Sequence, residues 1–298
     1  VSLRRMKYKA IIIVIGLSLF GNVTFTSSAQ AAELQDEKLL EVHFINVGQG
    51  DSILVRTPSG KNILIDGGRP SAGDKVVNYL KEQKIRSLDI VVSTHPDYDH
   101  VGGLVAVLKK FKVEQILDSG KWYYTKAYLR YIRQVKRKDI PVTIAKTDMV
   151  KELDDEISLK VLNSYTLLEG NNEGSLAFSL TYNTIDFMLM GDIERAQELK
   201  LVEKYNLNAE ILKVAHHGSD TSSSWGFLQE VSPEQAIISY SKDNDFGHPV
   251  KATIDKLLSA GANIYSTAKA GDIVIKTDGI SYDIEVSGTG QIVQKSIS

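Results

Sequence analysis

The run Ser93-Thr94-His95-Pro96-Asp97-Tyr98-Asp99-His100-Val101-Gly102-Gly103 constrains the fold more than any other stretch. Ahead of it, Leu88 to Val92 is apolar and reads as a buried strand. Pro96 lacks an N–H and disfavours helix at the residue before it, so His95 and Asp97 belong to a turn or loop. Behind it, Gly102-Gly103 lets the chain tighten into Leu104 to Phe111, which reads as a helix. The segment is therefore strand, loop, helix, with four groups able to ligate a metal packed into one short loop. Imidazole and carboxylate at alternate loop positions, His95 and Asp97, can meet on one ion, while Asp99 and His100 point at a second. Packing alone gives little reason for two histidines and two aspartates so close together at a strand end.

The rest of the chain alternates strand-like and helix-like segments from Lys38 onward, without a long linker or an internal repeat. Leu39 to Val47, Ser52 to Thr57 and Asn62 to Ile65 are β-rich runs, separated by Gly48-Gln49-Gly50-Asp51 and by the turn Pro58-Ser59-Gly60-Lys61. Helical spacing follows over Gly73 to Lys84, and again over Thr125 to Lys138, Glu194 to Tyr205, Trp225 to Val231 and Ala252 to Ala260. Strands are expected at Val113 to Leu117, Pro141 to Ala145, Ile157 to Leu162, Ser175 to Tyr182, Ile185 to Met190, Glu210 to Ala215 and Ala236 to Tyr240. Three short strands close the chain. Hairpins first and alternating units afterwards indicate mixed sheets covered by helices. Asp192, His216-His217 and His248 each come just after a strand, as the 95–100 cluster does. Layered α/β proteins gather ligand sites at strand C-terminal ends, so these residues can converge.

The first thirty residues read differently. Arg4, Arg5, Lys7 and Lys9 head an apolar run from Ala10 to Phe20, followed by Ala29-Gln30-Ala31, a small-residue cleavage pattern. Residues 1–31 are expected to be a secretory signal peptide, 32–37 a short linker and 38–298 the folded domain. The apolar run falls short of the roughly 20 residues of a membrane span, so no stable membrane insertion is expected after cleavage. The expected location is extracellular or at the cell surface; an uncleaved anchor is the other reading. The chain has no cysteine, which excludes disulfide staples and thiolate ligands. Its 35 basic and 37 acidic residues give a net charge of −2. Without the four basic residues of the leader, 31 face 37 and the balance is −6, so any nucleic-acid contact must be local.

Taken together, several motifs resemble the metallo-β-lactamase-fold hydrolases, and among them the hydrolase domain of the ComEC/Rec2 competence proteins and stand-alone secreted relatives of it. The matching motifs are Asn46-Val47-Gly48-Gln49-Gly50-Asp51, Leu64-Ile65-Asp66-Gly67-Gly68 and His95 to Gly103. Further on come Leu189-Met190-Gly191-Asp192, Val214-Ala215-His216-His217-Gly218-Ser219 and Gly247-His248-Pro249. The resemblance implies an α/β fold, an αββα sandwich of two mixed sheets flanked by helices, with a metal site at their shared edge. There are departures. Asp97 stands where the broad superfamily prefers histidine, Asn46 where the opening motif has aspartate, and Thr267-Ala268 where a Thr-Asp pair is usual. No histidine lies between His100 and His216, so the superfamily's intermediate ligand is absent, and Asn172 and Ser175 stand near its place.

The ligand set this implies is His95 and Asp97 for one ion, Asp99, His100 and His216 for the other, and Asp192 between them. Mixed N/O ligation without sulfur suits two divalent ions, Zn²⁺ or Mn²⁺. Ions about 3.5–4 Å apart can hold a shared hydroxide, so the expected reaction is attack of that hydroxide on a phosphodiester. His217 is either a partner behind the ligands or the ligand in place of His216; the reading favours His216. Asp66 is expected to orient a ligand, with Asn172 and Ser175 close by. Asp99 and His248 are the expected catalytic residues, His248 giving a proton to the leaving group or binding an oxyanion. Lys121, Trp122, Lys126 and Arg130 open a basic, aromatic-rich segment suited to phosphates and bases. A secreted phosphodiesterase or nuclease is the leading expectation. The alternatives are an esterase or lactonase on the same scaffold, or a non-catalytic module that binds DNA or cell-wall polymer.

Overall fold

The computed structural model describes residues 39–167 and 169–288, so the expected signal peptide and linker lie outside the described residues. Strands β1 (Leu40–Phe44), β2 (Ile53–Arg56) and β3 (Asn62–Ile65) form an antiparallel meander. Helix α1 (Gly73–Glu82) buries Val76, Val77 and Leu80 on one face and leaves Lys75, Lys81 and Glu82 in water, as their helical spacing requires. It crosses to β4 (Ser87–Ser93), which lies parallel to β3. Pro96 keeps the chain extended, and α2 (Tyr98–Val101) begins only after Asp97, so Asp99 and His100 sit on a single helical turn. Then come α3 (Leu104–Lys110), β5 (Lys112–Asp118), α4 (Lys126–Arg137) and β6 (Val142–Ile144). The hydroxyl of Thr125 caps α4 by accepting from the Tyr128 N–H.

A second meander follows: β7 (Val150–Asp154), β8 (Ile157–Asn163), β9 (Ala177–Tyr182) and β10 (Ile185–Leu189). From β10 the pattern becomes parallel through α5 (Arg195–Lys204), β11 (Ile211–Lys213), α6 (Trp225–Val231), β12 (Gln235–Ile238), α7 (Lys251–Ser259) and β13 (Asn263–Ser266). One turn, α8 (Thr267–Ala270), returns the chain to β14 (Ile273–Thr277) and β15 (Tyr282–Val286), beside β1.

The result is an eight-stranded sheet in the order β15-β14-β1-β2-β3-β4-β5-β6 and a seven-stranded sheet in the order β13-β12-β11-β10-β9-β8-β7. Alternate side chains of each strand point to opposite faces, so each sheet feeds two cores. Phe44, Val55, Ile65 and Leu117 meet Phe178, Leu180 and Phe187 between the sheets. Leu54, Leu64 and Val91 pack outward on Val76, Leu104 and Tyr131 of the helices over the first sheet. Leu212, Ala236 and Ile264 pack on Leu201, Phe227 and Leu257 over the second. This is the expected αββα sandwich of two mixed sheets. No helix among the described residues is long and apolar enough to cross a membrane.

Two close approaches at one end of the sandwich hold its loops together. A Cβ on Gly103 would lie 1.8 Å from the carbonyl oxygen of Gly67, and one on Gly50 would lie 2.1 Å from that of Asp99. The Gly67 N–H donates to the His100 carbonyl and the Gly103 N–H to that of Gly68, which leaves no room to open the contact. Gly103→Ala is therefore expected to destabilise the fold by about 3 kcal/mol, measured as a lowered urea midpoint. A change below about 1 kcal/mol would show that these loops yield easily.

Candidate metal centre

The strands β3, β4, β10, β11 and β12 all end at one edge of the sandwich, and each delivers a polar group there. Asp66 follows β3 with a left-handed backbone (φ 58°) and is buried. Its carboxylate accepts the Thr94 N–H at 2.9 Å, the Thr94 hydroxyl at 2.6 Å and His100 Nδ1–H at 2.8 Å. Because the Thr94 hydroxyl proton is committed to Asp66, its oxygen accepts from His95 Nδ1–H, 3.0 Å away. Ser175 Oγ lies 3.3 Å from the same His95 nitrogen and accepts the Asp192 N–H. On the second sheet, His217 Nδ1–H donates to the Ser239 carbonyl at 3.0 Å. Acceptors on all three Nδ1 atoms fix the ring orientations, so that in its neutral form each ring leaves Nε2 with a free lone pair.

Those three lone pairs face one carboxylate. Asp192 Oδ2 lies 3.3 Å from His100 Nε2, 3.4 Å from His217 Nε2 and 3.8 Å from His95 Nε2. None of the three Nε2 atoms has a hydrogen-bond partner, nor does Asp192 Oδ1, and all are buried. One unsatisfied buried polar group costs about 1–3 kcal/mol, so four at one point call for positive charge among them, as protons or as metal. Asp97 Oδ2 stands 3.7 Å from His95 Nε2, and Asp99 Oδ2 stands 3.7 Å from His217 Nε2. His95, His100 and Asp192 form one group of mutually close donor atoms, and Asp99, His100 and His217 another. Nitrogen and oxygen donors without sulfur fit Zn²⁺ or Mn²⁺.

Electrostatics point the same way. Burial alone would discharge His100, yet Asp192 and Asp66 outweigh it and hold the ring well above the ordinary histidine range. His217 is likewise raised against its burial by Asp192 and Asp51. Burial and the neighbouring His100 charge push His95 well down. Burial disfavours the Asp192 charge, but His217 and His100 overcome it and keep that carboxyl far below the usual range. The edge holds positive charge, as protons or as metal.

One expectation is reversed here. His217, not His216, turns into the cluster. Both residues adopt left-handed backbone, φ 50° and 53°, which L-residues with a Cβ resist by about 1–2 kcal/mol each. This kink breaks the alternation that a continued strand would impose and aims consecutive rings in different directions. His216 instead places Nδ1 3.0 Å from Thr221 Oγ1 and Nε2 3.3 Å from Asn172 Nδ2. It lines the mouth of a cleft of about 320 Å³ above the cluster, together with Gln49, Tyr123, Asn172, Phe246 and His248. His248 stacks on Phe246 and stands 5.5 Å from the His216 ring. Partial burial, then the neighbouring His216 and His217, lower its pKa, which favours the neutral ring.

The basic segment is divided between different environments. Lys121 donates to the Glu169 carbonyl and lies over the Tyr165 ring, so its charge is engaged within the chain. Trp122 packs edge-on against Tyr128 and is 60% exposed. Lys126 and Arg130 are exposed on α4 and do not line the cleft, whereas Tyr123 and Thr125 do.

Two contributors escaped the sequence reading. Asn171 Nδ2 donates to Asp97 Oδ1 at 2.5 Å, holding that carboxylate at the cleft. Lys213 is fully buried at the end of β11 and donates to Asp51 Oδ2 at 2.7 Å and to the Val214 carbonyl at 3.0 Å. Asp51 Oδ1 in turn lies 3.6 Å from His217 Nδ1. The available signal was a lysine inside the apolar run Ile211-Leu212-Lys213-Val214, two residues before Ala215 and the paired histidines.

Two outcomes follow. Lys213→Met, which strands Asp51 as a buried charge, is expected to destabilise by about 3–5 kcal/mol in urea unfolding, and Lys213→Met with Asp51→Leu to recover most of it. Equal losses in both variants would show that the pair is not coupled. His217→Ala is expected to lose bound metal in elemental analysis of purified protein while His216→Ala keeps it; the opposite result would restore His216 as the ligand.

Among known sequences, the profile of the "Metallo-beta-lactamase superfamily" matches residues 45–241. The chain is 28% identical to ComE operon protein 3 of Bacillus subtilis over 78% of its own length and 32% of that protein's. It is 29% identical to Competence protein ComA of Neisseria gonorrhoeae over 76% of its length and 30% of that protein's. The chain thus spans about a third of the length of the curated relatives it matches. Among solved structures, the metallo-β-lactamase fold protein YhfI of Bacillus subtilis superposes with a TM-score of 0.52 at 12% identity, covering 80% of this chain and all of that one. With the profile match spanning most of the described chain and the sandwich carrying its histidines and aspartates at one edge, the protein belongs to the metallo-β-lactamase superfamily.

Proposed function

We propose that this chain is a metal-dependent phosphodiesterase that acts on nucleic acid outside the cell, using two divalent ions, Zn²⁺ or Mn²⁺. The observation that carries the reading is the convergence of three bare Nε2 atoms on Asp192, with Asp97 and Asp99 flanking the outer two rings, beneath an open cleft. The superfamily membership supports metal-dependent hydrolysis in general, and the flat rings of Tyr123 and Phe246 at the cleft favour nucleic acid as the substrate. Export rests on the leader-like first 31 residues.

When bound, divalent ions would supply Lewis acidity and bring the pKa of water down to about 7. His95, Asp97, His100 and Asp192 would hold one, and Asp99, His217 and Asp192 the other. The protein's own contribution is orientation: Asp66, Thr94 and Ser239 fix the rings, and Asn171 fixes Asp97. Neutral His248 at the cleft wall can donate one N–H to a phosphoryl oxygen or to the departing oxygen. Phe246 and Tyr123 give the cleft flat apolar walls on which a base can lie.

The test is a panel of single-stranded DNA, RNA, an aryl phosphodiester, a carboxylic ester, a lactone and a β-lactam, each with Mn²⁺ or Zn²⁺. Phosphodiester cleavage is expected, abolished by Asp99→Asn and by His100→Ala. His248→Ala is expected to reduce kcat about 10²-fold with metal content unchanged. Full turnover in Asp99→Asn or His100→Ala, or turnover of the ester or lactone alone, would refute the assignment.

A further inference from the structure

A second groove, of about 580 Å³, runs between α3 and α4 and has no part in the chemistry described above. Four cations line it: Lys109 and Lys110 from the end of α3, and Arg130 and Arg133 from α4. The lining contains a single carboxylate, Asp74. All four cations are exposed, and among the described residues none makes an ion pair or donates a side-chain hydrogen bond. Some surface lysines elsewhere are paired, Lys112 with Glu114, Lys204 with Asp148, Lys251 with Asp255 and Lys276 with Glu285, all within 2.8 Å, while Lys75, Lys81 and Lys126 are as unpaired among the described residues as the groove's four cations. What sets the groove apart, in a protein of net charge −2, is that four such cations surround one concavity with a single carboxylate.

Two short segments of chain contribute residues to both the groove and the metal cleft. Tyr98 and Asp99 line the cleft, and Gly102, at the other end of α2, lines the groove. The helix between them has four residues, about 6 Å of axis. Tyr123 and Thr125 line the cleft, and Ala127, two residues on, lines the groove. Exposed rings lie on these same segments: Tyr98, 41% exposed with the Arg69 guanidinium over its face, then Trp122 at 60% and Tyr124 at 85%. Flat rings in water stack unpaired bases, which a duplex keeps inside.

We infer that the α3–α4 groove binds the phosphate backbone of a single nucleic-acid strand whose neighbouring phosphodiester lies in the metal cleft, with the rings on α2 and before α4 stacking the bases between. This rests on the nucleic-acid reading of the cleft and extends it to how a long strand is held. The groove acts as an anchoring site for the distal phosphates and touches no reacting atom. It favours long strands over short ones and makes binding steeply salt-dependent.

The experiment uses the full chain carrying Asp99→Asn, so that the probe stays intact, and follows polarisation of a labelled DNA strand of about 30 nucleotides as salt is raised from about 50 to about 200 mM. Lys109→Gln, Lys110→Gln and Arg133→Gln together are expected to weaken binding about tenfold and to lower the log–log salt slope by about 2, since each lost phosphate contact to a single strand removes about 0.7. Removing the same number of cations at Lys112, Lys204 and Lys251 is expected to change neither. In otherwise unaltered protein the groove variant should raise KM for the long strand and leave turnover of an aryl phosphodiester unchanged. Unchanged binding in the groove variant, or equal losses in both sets, would overturn the inference whatever the protein cleaves. Groove-dependent binding with no cleavage of strand or reporter would uphold the groove and count against the hydrolytic reading alone.

Discussion

Three imidazole lone pairs and an ionised carboxylate, sealed from water and aimed at one another, repel unless positive charge sits among them. That constraint governs the edge of this sandwich. Each ring is held from behind by an acceptor, so none can swing away to find a donor of its own: Asp66 holds His100, Thr94 holds His95, and the Ser239 carbonyl holds His217. The supports come from both sheets, which is why the two must stack in one register for the centre to exist. Hydrophobic burial between the sheets supplies the stacking; Phe44, Phe178 and Phe187 lie at that interface without exposure to solvent beyond 1%.

The topology explains why the groups meet. Parallel strands β3, β4 and β5 in one sheet, and β10 to β13 in the other, leave their C-terminal ends on a common edge. Loops leaving those ends are free of the ladder and can carry polar side chains, while their glycines allow backbones to touch. Gly50 against Asp99 and Gly103 against Gly67 are such contacts, and they bring the first meander under the metal loop. The same compression turns α2 into a short bridge whose two ends face different concavities.

Much of this was legible from residue order. The 95–100 cluster could be read because its groups are contiguous, and a proline in the middle fixes them in a loop. Asp192 could be read because the apolar-rich run Ile185 to Met190, followed by Gly191, ends just before it. The choice between His216 and His217 could not, because two successive left-handed residues erase the parity on which a strand-based reading depends. Lys213 with Asp51 was hidden for another reason: the partners are 162 positions apart, and each looks ordinary without the other. Strand β7 went unseen because Val150-Lys151-Glu152-Leu153-Asp154 buries only Leu153; it is a strand through its pairing with β8 at the sheet edge. The basic segment was recognised as such, but which of its charges are engaged depends on Tyr165 and Glu169, which no local pattern connects to Lys121.

The pairing of Lys213 with Asp51 joins the first meander to the last third of the chain, and His217 stands four residues beyond that lysine. During synthesis, the loop bearing His95 to His100 leaves the ribosome long before its partners on the second sheet. Until residue 217 has emerged and docked, the early ligands remain an open, water-filled fork with weak hold on any ion. Cation capture is thus a late event, and a loaded centre certifies that the two sheets have found each other.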